Sequence, residues 1–289
     1  MIKSRGARAG DMIIALICIL LIIVFLLPIV TILMRSLSSP TALLKGQVWL
    51  WPIGFSLDAY KTVLNDHNYS WSLIWTAILT VTGTVLSLFM TTICAYPLTY
   101  PNLKGKTFFN YAILLTMYFN AGTIPTYLLL KNLGMLNQWY VLILPYCLSV
   151  FNMIIMRSFF YGIPDSLRES AELDGAGPIR VLVNIYLPLS MPVIATLSLF
   201  YAVGRWNGYS DALMFISPTH RELYPIQLLL YQMINSSQGI DASQMESIPG
   251  VAETLKSASI MFATVPILLI YPWLQRYFIA GATLGAVKE

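Results

Sequence analysis

Two stretches of this sequence space polar side chains in a way that could do chemistry. The first, ESAELDGAGPIRVLVNIYLP, runs from Glu169 to Pro188 and sets Glu169, Glu172 and Asp174 among two glycines and two prolines. The second, VGRWNGYSDALMFI, places Arg205, Trp206, Asn207, Tyr209 and Asp211 inside an apolar run. Elsewhere the usual signs of catalysis are missing. His67 and His220 stand singly, H-E-x-x-H does not occur, and the apolar runs carry no paired Asp. Gly105, Lys106 and Thr107 resemble the end of a phosphate loop, but position 100 is Tyr where that motif needs Gly, so nucleotide binding is not expected.

The elements that must position these residues belong to a membrane. Of 289 residues 57% are apolar and 10% charged, against about a quarter charged in soluble domains. Apolar runs recur near the ~18 to 20 residues that cross ~30 Å of hydrocarbon, and each must be helical because lipid leaves backbone groups without partners. Six are expected, over residues 12–34, 73–98, 108–130, 139–160, 189–214 and 260–279, in one domain spanning 1–289. The basic Lys3, Arg5 and Arg8 precede a run too long for a cleaved signal and read as the flank of a signal anchor.

Lys and Arg favour the cytoplasmic flanks, so both termini and the Glu169–Pro188 insert are expected inside. The net charge of +4 follows from this topology and is no nucleic-acid footprint. Cys18, Cys94 and Cys147 fall singly in apolar runs as packing residues. Two longer outer loops remain. Residues 36–72 carry Trp49, Trp51, Trp71 and the amphipathic helix candidate LDAYKTVL, whereas 215–259 is polar around INSSQGIDASQ.

Within the insert, Ser166-Leu167-Arg168-Glu169 fits a capping box. A short helix is expected to run to Asp174 and to stop at Gly175, where positive φ carries no Cβ clash. Gly177 and Pro178 then supply an N-cap and N1 pair, and Ile179, Leu182, Val183 and Tyr186 follow at helical spacing. A turn between spans needs nothing so ordered. Exposed acids on a bent, capped insert imply a partner surface with basic or amide donors.

The spacing of Glu169, Ser170, Ala171, Gly175, Ile185, Leu187 and Pro188 resembles the EAA loop of permease subunits of ABC importers, E-A-A-x3-G-x9-I-x-L-P, with Ser170 for the middle Ala. Asp174-Gly175-Ala176 matches the D-G-A common in that family. FNAGTIPTYLLLKNLGMLN, VGRWNGYSDALMFI and GATLGAVKE further resemble carbohydrate permeases of the MalG type, in the LplC-like branch for oligosaccharides and polysaccharide fragments. The resemblance implies an all-α integral membrane protein of the MetI-like permease fold, with six transmembrane helices and a cytoplasmic coupling-helix (EAA) loop, 162–188, between helices 4 and 5.

It also implies partners: a second homologous permease, an ABC ATPase dimer that binds ATP and Mg, an extracytoplasmic solute-binding protein, an oligosaccharide and membrane lipid, with no nucleic acid. The chain itself is then no enzyme and holds no cofactor or metal, and its place is the bacterial cytoplasmic (inner) membrane. The coupling residues implied are Glu169, Ser170, Ala171, Glu172, Asp174, Gly175 and Ala176.

Sugars are held by aromatic faces and by groups that hydrogen-bond hydroxyls. The pathway set expected on that basis is Arg205, Trp206, Asn207, Tyr209 and Asp211, with Asn120 and Asn152. Arg205 and Tyr209, like Asn207 and Asp211, are four residues apart and would share a helix face. Arg205 either meets an acidic sugar or pairs with a carbonyl or acid to lock packing. Asn120, Gly122 and Pro125 can break a helix that lines the path, or merely kink it. Asn152 is path or interhelical glue, and INSSQGIDASQ reaches into the binding protein or is a solvated connector. A permease for another solute keeps the EAA loop, whereas a secondary transporter would want repeated halves and titratable spans.

Overall fold

The computed structural model describes residues 5–235 and 250–286, with side chains for 11–235 and 250–269. Most of INSSQGIDASQ, from residue 236, lies outside the described residues. Every regular element described is helical. By its internal contacts the chain divides into two units, Met1–Ser70 with Leu230–Val265 and Trp71–Leu229 with Pro266–Glu289.

Among the described residues three helices are long and apolar enough to cross a membrane: Asp11–Ser36, His67–Thr99 and Val251–Leu269. Three more stretches reach that length only as bent pairs. Lys106–Tyr118 and Thr123–Asn132 meet at 113°, Trp139–Tyr146 and Val150–Tyr161 at 50°, and Pro178–Leu189 and Met191–Asn207 at 81°. Counting each pair as one span would give up to six among the described residues, by length and composition.

Each bend has a local cause. Gly122 has φ +88°, open to glycine alone at no cost, and its N–H donates to Asn120 Oδ1 at 2.8 Å. Pro125 lies in the first turn of the following helix, where its missing N–H costs nothing, so Gly122 and not Pro125 makes the break. In the second pair Ser149 caps the helix Val150–Tyr161, accepting from Asn152 N–H at 3.4 Å. In the third, Pro192 stands in the first turn of Met191–Asn207, after a bend at Ser190.

In the first unit the apolar helix from Asp11 buries none of its most hydrophobic window, so its side chains need lipid or another protein around them. The loop that follows is ordered by side chains. Ser36 and Tyr60 share a hydroxyl hydrogen bond of 2.7 Å, and Ile53 N–H donates to Ser38 Oγ at 3.0 Å. The amphipathic helix expected there forms as Asp58–Asn65 and buries Ala59 and Val63 with Leu255 and Ala258. Trp49 and Trp51 remain exposed.

The second unit packs around the helix His67–Ala95. Its buried residues include Gly83, Thr84, Ser87, Thr91 and Ala95, small side chains that let neighbouring backbones approach closely without a hydrophobic driving force. Thr76 Oγ1 accepts from Ile226 N–H at 2.8 Å. At the other end of this helix Lys106 Nζ donates to the Tyr100 carbonyl at 3.0 Å, and the Tyr161 hydroxyl to the Leu98 carbonyl at 2.8 Å. Lys106 thus closes a helix end. A core of Tyr96, Leu98, Met153, Met156, Phe160, Val181, Tyr186, Val193 and Leu197 joins the helices Val150–Tyr161 and Met191–Asn207 to it.

Tyr201 ties three of these elements through one oxygen. Its hydroxyl pairs with Thr91 Oγ1 at 2.7 Å and accepts from Ser149 N–H at 3.2 Å, while the residue itself is 7% exposed. Tyr201→Phe removes that oxygen and strands two polar groups, so it should cost about 1 kcal/mol or more. The check is the thermal unfolding midpoint in detergent, which should fall. An unaltered midpoint would show that the hydroxyl carries no stability.

Candidate functional site

The insert folds as two helices, Asp165–Leu173 and Pro178–Leu189, joined at a sharp turn. The first begins two residues earlier than the capping box predicts. Pro164 is the N-cap and no side chain caps the end, so Ser166 falls inside the first turn and the Ser166–Glu169 box does not form. Proline sets φ at this position and leads straight into the helix. Asp165 takes the first position instead, where a negative charge meets the helix dipole.

The C-terminal end follows expectation. Gly175 has φ +78°, Ala176 N–H donates to the Ala171 carbonyl at 2.9 Å, and Gly175 N–H to the Glu172 carbonyl at 3.0 Å. This pair of bonds is a Schellman motif, which brings Ala171 and Ala176 together. Both pack against the core around Tyr96 and Tyr186. Glu169, Ser170, Glu172, Asp174 and Gly175 are exposed.

The second helix corrects the face read from sequence. Leu182–Tyr186 is π-helical, so Val181 and Tyr186, five residues apart, are buried, while Ile179 and Val183 point outward. Periodic reading at 3.6 residues per turn cannot find this face. Leu173, at 90% exposed, and Ile179, at 79%, stand as apolar projections near the acids. Gly177, Pro178, Ile179, Arg180, Val183 and Asn184 line an open groove beside them. Leu173 carries no motif position, and Ile179, expected on the apolar face, is turned to solvent instead.

The second cluster is also rearranged. The helix Met191–Asn207 ends at Gly208 in an extended conformation, and a new helix covers Ser210–Phe215. The shared faces expected for Arg205 with Tyr209 and Asn207 with Asp211 are therefore lost across the break. Arg205 instead reaches the backbone between Trp139 and Tyr146. Nη1 donates to the Leu142 carbonyl at 2.6 Å and Nη2 to the Ile143 carbonyl at 3.1 Å. Its guanidinium lies 5.8 Å from the Tyr146 ring centre, and Nη1 lies 3.9 Å from Asp211 Oδ2. Gly83 makes room, since a Cβ there would sit 3.3 Å from Arg205 Nε.

Of the two roles open to Arg205, this geometry supports the packing anchor: its fork donates to two carbonyls of the short irregular turns, of which Ile143 also accepts from Tyr146 N–H at 3.3 Å. Asn207 donates to the Val203 carbonyl of its own helix at 3.0 Å, and Trp206 is buried. Tyr209 is half-buried, Asn120 serves its own turn, and Asn152 is buried in the first turn of its helix. So the structure unites Arg205 with Asp211 and gives Asn120 and Asn207 local roles. Among the described residues no group of three or more His, Cys, Asp or Glu side chains could hold a metal ion.

Residues 73–283 match the model of the family described as "Binding-protein-dependent transport system inner membrane component". The chain belongs to this family. Its members are membrane permease subunits without enzymatic activity, ATP hydrolysis residing in a separate subunit. The permease is 39% identical, over 97% of its length and 99% of the relative's, to the polygalacturonan/rhamnogalacturonan transport system permease protein YtcP of Bacillus subtilis (strain 168). It is 38% identical over 91% of its length and 89% of the relative's to Protein LplC of the same organism.

Among solved structures, one chain of a bacterial ABC transporter involved in the import of the acidic polysaccharide alginate superposes with a TM-score of 0.90. It is 33% identical, covering 96% of the permease and 99% of that chain. The MetI-like, all-helical permease fold is thereby established.

Arg205→Lys keeps the charge but cannot fork across two carbonyls. It should lower stability by about 1–3 kcal/mol, whereas Asp211→Asn, across a 3.9 Å gap, should change it much less. Thermal unfolding of the two variants in the same detergent distinguishes them, and equal losses would contradict this account of Arg205.

Proposed function

We propose that this permease is a subunit of an ATP-driven importer of oligosaccharides or polysaccharide fragments. It forms half of the translocation path with a second, similar permease and couples to an ABC ATPase dimer, which holds ATP and Mg, through Asp165–Leu189. An extracytoplasmic solute-binding protein delivers the sugar. Both termini and the coupling segment lie on the cytoplasmic side of the bacterial inner membrane.

The observation that carries the coupling role is the shape of the segment itself. It is stopped by a Schellman turn, rooted in an aromatic core, and presents Leu173 and Ile179 beside Glu169, Glu172 and Asp174. Apolar projections amid acids are costly in water and become favourable when a partner covers the first and pairs with the second. The loop Phe215 to Ser259 faces the binding protein in this arrangement. The sugar class is supported by the relatives, whose names give polygalacturonan, rhamnogalacturonan and alginate.

Arg205, held by two carbonyls, gives no support to its direct contact with a uronate. The remaining path residues in this reading are Trp206, Asn207, Tyr209, Asp211, Asn120 and Asn152, with acidic glycans recognised first by the binding protein.

The test is a reconstituted complex with its binding protein. Oligogalacturonate should stimulate ATP hydrolysis, while neutral malto-oligomers and amino acids should not; stimulation by amino acids alone would move the chain to another solute class. In the same complex Leu173→Asp should reduce co-purified ATPase roughly tenfold or more, because it puts a charge into a buried contact. Undiminished ATPase in that variant, and in Ile179→Asp, would refute the docking surface.

A further inference from the structure

The acids of the coupling segment face solvent, but one charge on the same helix does not. Arg168 is 6% exposed, and its guanidinium lies 5.1 Å from the centre of the Tyr100 ring. Nη2 is 3.1 Å from Asp165 Oδ1. Nε is 3.8 Å from Glu172 Oε1, beyond hydrogen-bond reach. Burying a cation is costly without partners, and here a carboxylate and an aromatic face supply them.

Tyr100 belongs to the far end of the helix His67–Thr99 and continues the connection. Its hydroxyl is 2.7 Å from that of Tyr96, which donates to the Pro178 carbonyl at 3.0 Å. With the Tyr96 proton given to Pro178, Tyr100 is the donor between the two rings. Tyr96 also packs edge-on against Tyr186 at 5.0 Å and Phe160 at 6.3 Å. The first helix of the segment is therefore held through Arg168, and the second through the Pro178 carbonyl and Tyr186. Both holds converge on Tyr96 and Tyr100.

We propose that Arg168, Tyr100 and Tyr96 form the linkage that carries displacement of Asp165–Leu189 into the end of the helix His67–Thr99. Arg168 is then a positioning residue for transport and not part of the surface that binds the ATPase. This rests on the reading of the segment as the ATPase-coupling loop. The physical reason is stiffness: a charge over a ring and two hydroxyl bonds in series fix distance and direction, whereas greasy contacts alone slide.

The experiment uses the complete complex in liposomes, with uptake of labelled oligogalacturonate per ATP hydrolysed as the readout and co-purified ATPase measured in parallel. Arg168→Gln and Tyr100→Leu should each lower the uptake ratio roughly tenfold, the scale of a typical coupling free energy. The double variant should be no worse than either single one, because both break the same link. Arg168→Lys keeps a cation over the ring and should recover most of the ratio.

Should Arg168→Gln fail to fold, Tyr100→Phe retains the ring, removes the hydroxyl link and should still lower the ratio. An unchanged ratio in these variants, additive losses in the double variant, or losses that track missing ATPase would overturn the linkage and leave the coupling-loop reading standing. Absence of ATPase from the wild-type complex would overturn both.

Discussion

Hydrocarbon offers a peptide group nothing to bond with, and the irregular places in this permease are ordered by that fact. At several of the helix breaks a side chain stands in for a missing backbone partner. Asn120 takes the N–H of Gly122, and Ser149 takes that of Asn152. Arg205 covers two carbonyls, Lys106 another, and Thr76 accepts the N–H of Ile226. A polar side chain in a span is therefore as much a structural necessity as a sign of substrate contact, and Arg205 shows how the first use can displace the second.

This explains what could and could not be seen in the sequence. Apolar length is a property of composition, so the membrane class and the positions of the long runs were legible, as were the stop at Gly175 and the restart at Gly177-Pro178. The bend near Gly122 was legible because glycine and asparagine cluster there. The break at Gly208 was not, since one glycine inside an apolar run has no fixed meaning. The π-helical stretch at Leu182–Tyr186 was hidden for a similar reason: nothing local marks the extra residue, and the burial of Val181 with Tyr186 decides it. Pro164 likewise outcompeted Ser166 for the helix start, although both are good boundary residues.

The coupling segment combines two surfaces with opposite demands. Its outward face keeps Leu173, Ile179 and three carboxylates in water, at a cost in solubility, whereas its root is a closed set of Tyr96, Phe160, Val181 and Tyr186. The contrast separates the parts that a partner must touch from those that must hold still. The long apolar helix from Asp11 is a different matter, because none of its most hydrophobic window is covered by the chain itself. Lipid or a neighbouring subunit must complete it.

The hydroxyl of Tyr201 leads to one more point. The elbow at Ser149 is latched by an atom from a separate rod, so neither can straighten or slide without releasing the other. Bending of the elbow and sliding of the rod are thus linked through one oxygen. A spectroscopic probe on the elbow would report where the rod stands.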